Sequence, residues 1–376
     1  MTTPSALRVL LITPDFPPAF GGIQRLLHRI TSAMPGSEVQ VLTPDAPGAR
    51  AFDIDSGVTV RRVPVGSSKP IVRNALFNAR GVAALGSWKP DVILNGHVVT
   101  SPLATLAARR FHVPTVLYVY GKEIAGRPRL AAWGLRRSAA AVAVSEYTKS
   151  QLVAAANGRE VPPVHVVHPG VDVPQKSERA SGDGPFTMLT VGRLRDWYKG
   201  HDVVLEAMPR VLERIPDARW IVLGDGRRRS ALESRAAELG VAHAVQFRGA
   251  VDDAEKERWL AEADAFVMPA RYPRGEVAGE GFPVVYLEAA AWGLPAIAGN
   301  VGGPREAVLH RETGLLVDPE SVDEIATALL DLGTNPAFAR ELGSRARERA
   351  SSAFTWQSVA GELESLLRQV AGNANA

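Results

Sequence analysis

Two α/β domains, each a doubly wound parallel sheet, are the fold class this sequence predicts, on three observations. Short apolar runs such as LRVLLIT, DVILNG and TVLYVYG alternate with helix-patterned segments, which is the signature of strand–helix–strand units. The runs are apolar almost throughout, as strands buried on both faces of a parallel sheet are. The alternation stops once, near Val173, in the polar stretch PQKSERASGDGP, and then restarts, and 376 residues suit two domains that each bury a proper core.

In chain order, Leu7 to Thr13 is the first strand, followed by the turn-rich PDFPPAFGG and a helical pattern from Ile23. EVQVLT and VTVRRV read as strands, then a helical segment around Arg73 to Ser87, the strand DVILNG, and a helix from Ser101. TVLYVYG is followed by a helix near Arg129, and AAVAVS by a helix that Ser145 opens, its hydroxyl suited to the first unpaired N–H groups. VHVVHPG closes the first domain, placed at 1–173, with a linker at 174–185. The second domain, 186–353, runs through FTMLTVG, a helix from His201 to Arg214, ARWIVLG, a helix after Gly226, AVQFRG, a helix from Asp253, AFVMP, and GLLVDP with a helix after Ser321. Beyond Asn335 two helical runs follow, broken near Phe354-Thr355-Trp356. No period of 20 to 50 residues repeats.

Composition narrows the function classes. With 46% apolar and 22% charged residues the chain is globular, and the absence of Cys removes disulfides, thiolate metal ligands and cysteine nucleophiles together. The opening MTTPSALRVLLIT holds an apolar run of only about seven residues without a basic flank, well short of a signal or a span. A cytoplasmic enzyme is expected, and a net charge of +3 does not point to nucleic acid. Arg127, Arg129, Arg136 and Arg137 fall within eleven residues, interleaved with LAAW and GL. Such a basic amphipathic helix is a solvated face or a peripheral contact with an anionic membrane, at the inner face.

The chemistry concentrates between Arg271 and Pro304. The strand AFVMP ends at Pro269, a charged loop follows, and Glu280-Gly281-Phe282-Pro283 leads into the helical run VVYLEAAAW, with Pro283 suited to its first turn. The N–H groups at such a helix start form an anion site, to which Gly281 and Phe282 contribute. Glu280 and Glu288 have seven residues between them, so one faces the mouth of the site and the other flanks it. LPAIAG is the next strand, and Asn300-Val301-Gly302-Gly303-Pro304 opens another helix.

Two further segments fall at strand ends. Gly192-Arg193-Leu194 and Lys199-Gly200-His201-Asp202 follow the first strand of the second domain, where Arg193 and Lys199 suit a diphosphate. Gly21 and Gly22 precede a helix, so their N–H groups can approach a phosphate without a Cβ in the way. Neither they nor Leu223-Gly224-Asp225-Gly226 form GxGxxG, which leaves a nicotinamide site unsupported. Asp53-Ile54-Asp55 has metal-binding spacing but reads as surface loop, and His165 and His168 read as structural. None of the eight His pair at the i, i+4 spacing of a zinc helix, so no metal is expected.

The E-G-F-P, L-E-A, G-L-P and G-G-P elements around the two glutamates, with Arg193 and Lys199, resemble the nucleotide-sugar site of retaining GT-B glycosyltransferases of family 4, and the likeness runs through the whole chain. It implies two Rossmann-like domains facing each other across a cleft, with the helix 356–370 crossing back onto the first. It implies a metal-independent hexosyltransferase without a cofactor, its donor a GDP- or UDP-linked sugar such as GDP-mannose, its acceptor a hydroxyl on a lipid, glycan or small natural product. Retention then occurs on the front side, the departing phosphate helping to deprotonate the acceptor. By the same resemblance Arg193 and Lys199 clamp the diphosphate, Glu288 accepts from the ribose hydroxyls, Glu280 with the Gly281 and Phe282 N–H groups holds the sugar and β-phosphate, and Gly22, after Gly21, lies beside the donor phosphates. GGIQ, VYLEA and AGNVGG look most like bacterial phosphatidylinositol mannoside mannosyltransferases. Where the family has His-Gly-x-Asp/Glu, this chain has Tyr120-Gly121-Lys122-Glu123, so the phenol of Tyr120 or the imidazole of His97 stands as the replacement. A nucleotide-sugar epimerase, a glycan phosphorylase, a non-catalytic sugar-nucleotide binding module and a membrane-surface scaffold are the alternatives, and no motif suggests the pyridoxal lysine of a phosphorylase.

Overall fold

The computed structural model describes residues 6–66, 69–175, 184–195, 197–272 and 279–374. It divides into two compact units, one of the residues up to Gly170 together with those from Trp356 onward, the other Val171–Thr355. Most of the polar stretch expected to link two domains, 176–183, lies outside the described residues.

In the first unit the strands are β1 (Leu7–Ile12), β2 (Ser37–Pro44), β3 (Thr59–Val63), β4 (Val92–Asn95), β5 (Thr115–Val119), β6 (Ala140–Ala143) and β7 (Val164–Val166). They pair in parallel in the order β3-β2-β1-β4-β5-β6-β7. Helices cover the sheet, so β4, β5 and β6 are buried along their whole length. That double burial is why they read as unbroken apolar runs. The helix Trp356–Asn373 completes this unit, burying Val359, Leu363 and Leu367 and packing against the helix Gly22–Ser32. A carboxylate fixes its position: Glu364 accepts from the Gly36 N–H at 3.2 Å and from Arg368 at 2.7 Å, and Arg368 also donates to the Gly36 carbonyl.

In the second unit β8 (Thr187–Val191), β9 (Arg219–Leu223), β10 (Val245–Gly249), β11 (Ala265–Met268), β12 (Ala296–Gly299) and β13 (Gly314–Val317) form a parallel sheet in the order β10-β9-β8-β11-β12-β13. Its core joins Met188, Trp220, Val267 and Leu329, all fully buried. Trp220 satisfies its buried indole N–H by donating to the Thr190 hydroxyl at 2.9 Å.

Local departures from expectation have local causes. Asp53 and Asp55 lie not in a loop but at the end of the helix Ala49–Asp55, and Asp53 takes Arg62 on both carboxylate oxygens at 2.6 and 3.0 Å, which is a structural use. The helix expected from Arg73 begins at Pro70, a residue preset for the first turn. Ser145 caps its helix by accepting the Thr148 N–H at 3.0 Å. Among the described residues no helix is long and apolar enough to cross a membrane.

Candidate functional site

Open α/β sheets gather ligand-binding groups beyond the carboxyl ends of the strands, where the strand order reverses. In the second unit that point lies between β8 and β11. After β8 the chain turns through Gly192-Arg193-Leu194, shaped by the turn that follows β9. The Gly192 N–H donates to the Leu223 carbonyl at 2.9 Å, and the Leu194 N–H to the Asp225 carbonyl at 3.0 Å. Gly224 sits at φ +142°, where a Cβ would lie 2.0 Å from the Gly192 carbonyl oxygen. The glycines of Leu223-Gly224-Asp225-Gly226 thus serve to mould the Arg193 loop, on which Arg193 is exposed.

Lys199 ends a short 3-10 turn, Trp197–Lys199, and runs past Gly192 to Glu280, with its ammonium 2.8 Å from Oε1 and 3.7 Å from the Met268 sulfur. Its side chain is 10% exposed and that of Glu280 19%, so each supplies most of what water would otherwise give the other. One side chain fixes this turn. Arg271, just past β11, places its guanidinium 4.0 Å over the Trp197 ring and 2.5 Å from the Asp202 carboxylate, while its N–H donates to the Tyr198 carbonyl at 2.7 Å. Sequence reading missed this role, because a buried Arg and a loop Arg look alike until Asp202 and Trp197 are seen beside it.

The other wall begins at Glu280. The Gly303 N–H donates to the Glu280 carbonyl at 3.3 Å, and a Cβ on Gly303 would fall 2.0 Å from the Gly281 carbonyl oxygen, so the segment after β12 packs directly on the glutamate loop. Phe282 is buried against Phe354. Pro283 is the N-cap of the helix Val284–Ala291 and not part of its first turn, with φ −77° and ψ 103° in the extended range that proline favours. The Tyr286 hydroxyl donates to the Met268 carbonyl and ties this helix to the end of β11. Burial holds that phenol well above its usual pKa, so it stays a neutral donor. Glu288, two residues further, meets Lys256 at 2.9 Å. Residues 273–278 of the loop lie outside the described residues.

In the first unit the order reverses between β1 and β4. Gly21 caps and Gly22 opens the helix Gly22–Ser32, both exposed, with N–H groups directed out of the helix end. Beside them Gln24 donates to Asp15 at 2.9 Å. After β4, His97 Nδ1 accepts the Val99 N–H at 3.1 Å, which leaves the proton of the neutral ring on Nε2, 4.0 Å from Asp15. Burial, and then the Arg127 charge, lower its pKa to about 4. An imidazole expected to carry charge near neutral pH is therefore held neutral, as a fixed donor through Nε2.

Tyr120 also differs from expectation. Its hydroxyl donates to the Gly96 carbonyl at 3.1 Å, so the proton expected to meet a sugar is used within the fold, where it supports the turn that carries His97. The Tyr120 N–H in turn reaches Glu123 at 2.5 Å. Burial raises the pKa of Glu123, against the lowering effect of the N–H groups of Tyr120, Glu123 and Gly121. Asp15 is not singled out in the sequence, since it gains meaning only from the strand ends that bring it beside His97.

A pH dependence follows from the His97 environment. The unfolded chain binds a proton near pH 6.5 that the folded chain refuses until about pH 4, so stability present above 6.5 is lost as pH falls through that window. At ~1.4 kcal/mol per pH unit the loss reaches about 3 kcal/mol. Asp15 and Glu123, with raised pKa values, gain stability as pH falls and offset part of it. His97→Asn is expected to lose less melting temperature than wild type between pH 7 and pH 5. Equal losses would show that His97 titrates freely in the fold.

The chain is similar to glycosyltransferases along nearly its whole length. Residues 20–175 match the family described as Glycosyltransferase Family 4, and residues 174–349 that described as Glycosyl transferases group 1. The GDP-mannose-dependent alpha-(1-6)-phosphatidylinositol monomannoside mannosyltransferase of Mycobacterium tuberculosis is 33% identical, with 96% of this chain and 98% of that protein covered. The glycogen synthase of the same organism is 28% identical, with 94% and 92% covered. Among solved structures, Anabaena HepE in complex with UDP aligns with a TM-score of 0.79 at 19% identity, covering 96% of this chain and 100% of that one. The fold and these matches define a nucleotide-sugar-dependent hexosyltransferase of the GT-B class. Within that class, the chain belongs to glycosyltransferase family 4, a family of retaining enzymes.

Proposed function

We propose that the second unit binds the donor at the β8/β11 switch point and that the first, 1–173 with the helix 356–370, binds the acceptor. The observation that carries this reading is the Lys199–Glu280 pair, set over the ends of β8 and β11 beside the N-terminus of the helix Val284–Ala291. A diphosphate supplies the anion that Lys199 and Arg193 suit, and the Gly281 and Phe282 N–H groups add donors on the opposite wall. Glu280 receives sugar hydroxyls and Glu288 the ribose. The work of these groups is positioning and stabilisation of charge on the departing diphosphate, with no step that needs a metal. Gly21 and Gly22 offer N–H groups to an anion in the first unit, and His97 offers one N–H from a neutral ring whose Nδ1 accepts from the Val99 N–H.

The donor favoured is GDP-mannose and the acceptor an inositol-containing mannolipid, because relatives 33% and 32% identical to this chain are named as GDP-mannose-dependent phosphatidylinositol monomannoside mannosyltransferases. A lipid acceptor suits the basic face at the helix Pro128–Leu135, where Arg127, Arg129 and Arg137 are exposed and Arg137 stacks over Trp133 at 4.2 Å. This face is proposed to meet an anionic membrane at its cytoplasmic side. Thermal shift against GDP, UDP, ADP and dTDP tests the donor reading, since a ligand bound only by the folded state raises the melting temperature. GDP is expected to give the largest shift. A larger shift with UDP would replace GDP-mannose by a UDP-hexose, and no shift with any of them would overturn the donor site.

A further inference from the structure

Lys256 lies in the first turn of the helix Asp253–Glu262, its N–H donating to the carbonyl of the N-cap residue Asp252 at 3.0 Å. A cation there opposes the helix dipole, which favours the acids in the same turn, Asp253 and Glu255. The chain nevertheless buries this Lys, with its side chain 14% exposed, and directs the ammonium to Glu288 Oε1 at 2.9 Å. Asp253, at 3.2 Å, is the outer partner and is two-thirds exposed, so it holds the ammonium only weakly. Glu288 is 19% exposed and sits on a different helix, Val284–Ala291. A residue placed against its own helix, and against desolvation, in order to meet one carboxylate is the kind of local conflict that marks a functional site.

We propose that Lys256 is a positioning residue for donor recognition, holding the Glu288 carboxylate in the rotamer that receives the two ribose hydroxyls of a nucleoside diphosphate. This rests on the donor reading above and adds the group that makes its ribose contact selective. A carboxylate has about four lone-pair sites, so an ammonium on Oε1 is compatible with acceptance from a vicinal diol. Without the ammonium, Glu288 loses a charge-assisted contact that favours this rotamer, and more of its ordering falls to the incoming nucleotide, at a cost in affinity. The inner pair, and not Asp253, carries the effect.

Calorimetric titration of GDP, UDP and ADP, and of the 2′,3′-dideoxy form of whichever binds, tests this in wild type, Lys256→Met, Glu288→Gln and the double variant. Lys256→Met is expected to weaken the ribose nucleotide about tenfold and the dideoxy form less than about twofold, with donor KM rising and kcat nearly unchanged. In the Glu288→Gln background the same substitution is expected to add nothing, and Asp253→Asn is expected to bind as wild type. Equal losses for the ribose and dideoxy forms would reduce Lys256 to a tie between two helices and overturn the proposal. Should Lys256→Met not fold, Lys256→Gln, which keeps a donor and loses the charge, is read by the same ribose-against-dideoxy comparison, and wild type itself is expected to prefer the ribose form by about tenfold. Wild type that binds a diphosphate without that preference overturns the role of Lys256 and leaves the donor site standing; wild type that binds none of the diphosphates overturns the donor site itself.

Discussion

Lys199→Ala is expected to lower kcat/KM for the donor by at least roughly a hundredfold and to cost several degrees of melting temperature. Two losses combine. The charge-assisted contact to the diphosphate is worth about 1.5–3 kcal/mol. The substitution also leaves Glu280, 19% exposed, without the ammonium that holds it at 2.8 Å, and breaking a mostly buried pair from one side costs about 3–5 kcal/mol. Glu280→Gln separates the two, since it also breaks the pair, leaving the Lys199 ammonium without its counter-charge, but keeps that ammonium for the diphosphate. Steady-state kinetics with varied donor, beside melting curves, measure both effects. A Lys199→Ala enzyme with wild-type kcat/KM would remove Lys199 from the site, whatever its stability.

Gly303→Ala is expected to reduce turnover about a hundredfold while lowering stability by only about 1–3 kcal/mol, because a misplaced site loses more than an overpacked fold does. The added Cβ would lie 2.0 Å from the Gly281 carbonyl oxygen and 2.8 Å from that of Glu280, both backbone atoms that no rotamer change can move. Gly303 itself has φ −61°, so the cost comes from lack of space and not from backbone strain. The segment that yields is the one carrying Glu280 and the N–H groups before the helix Val284–Ala291. Gly361→Ala is the control, since nothing lies within 4 Å of a Cβ there and helical Ala is favoured over Gly. If Gly303→Ala retains full turnover, the loop has slack that the packing does not suggest.

Strands and their parallel pairing were legible because burial on both faces leaves an unbroken apolar run, as in TVLYV of β5. The glutamates, the cations after β8 and the glycine pair after β1 were legible because strand ends and helix starts are themselves written locally, in Gly, Pro and capping residues. What stayed hidden depends on distance along the chain. Arg271 and Asp202 are 69 residues apart, and Lys256 and Glu288 are 32 apart, so neither pairing leaves a local pattern. The same holds for Tyr120: its residue type is plain in the sequence, but only the turn after β4 shows that its hydroxyl donates to the Gly96 carbonyl. Asp53 and Asp55 resemble a metal motif in spacing alone, and Arg62, on another element, decides their use.

The helix Trp356–Asn373 has a consequence for synthesis. The second unit is one uninterrupted segment and can fold as soon as it leaves the ribosome, but the first lacks this helix until the last residues are made. Gly36 and Glu364, which join the two parts of the first unit, are 328 residues apart. Throughout elongation the face of the helix Gly22–Ser32 that packs on the helix Trp356–Asn373 remains uncovered. A released chain that ends before Trp356 would therefore hold every residue of the second unit and a first unit whose helix Gly22–Ser32 lacks its cover.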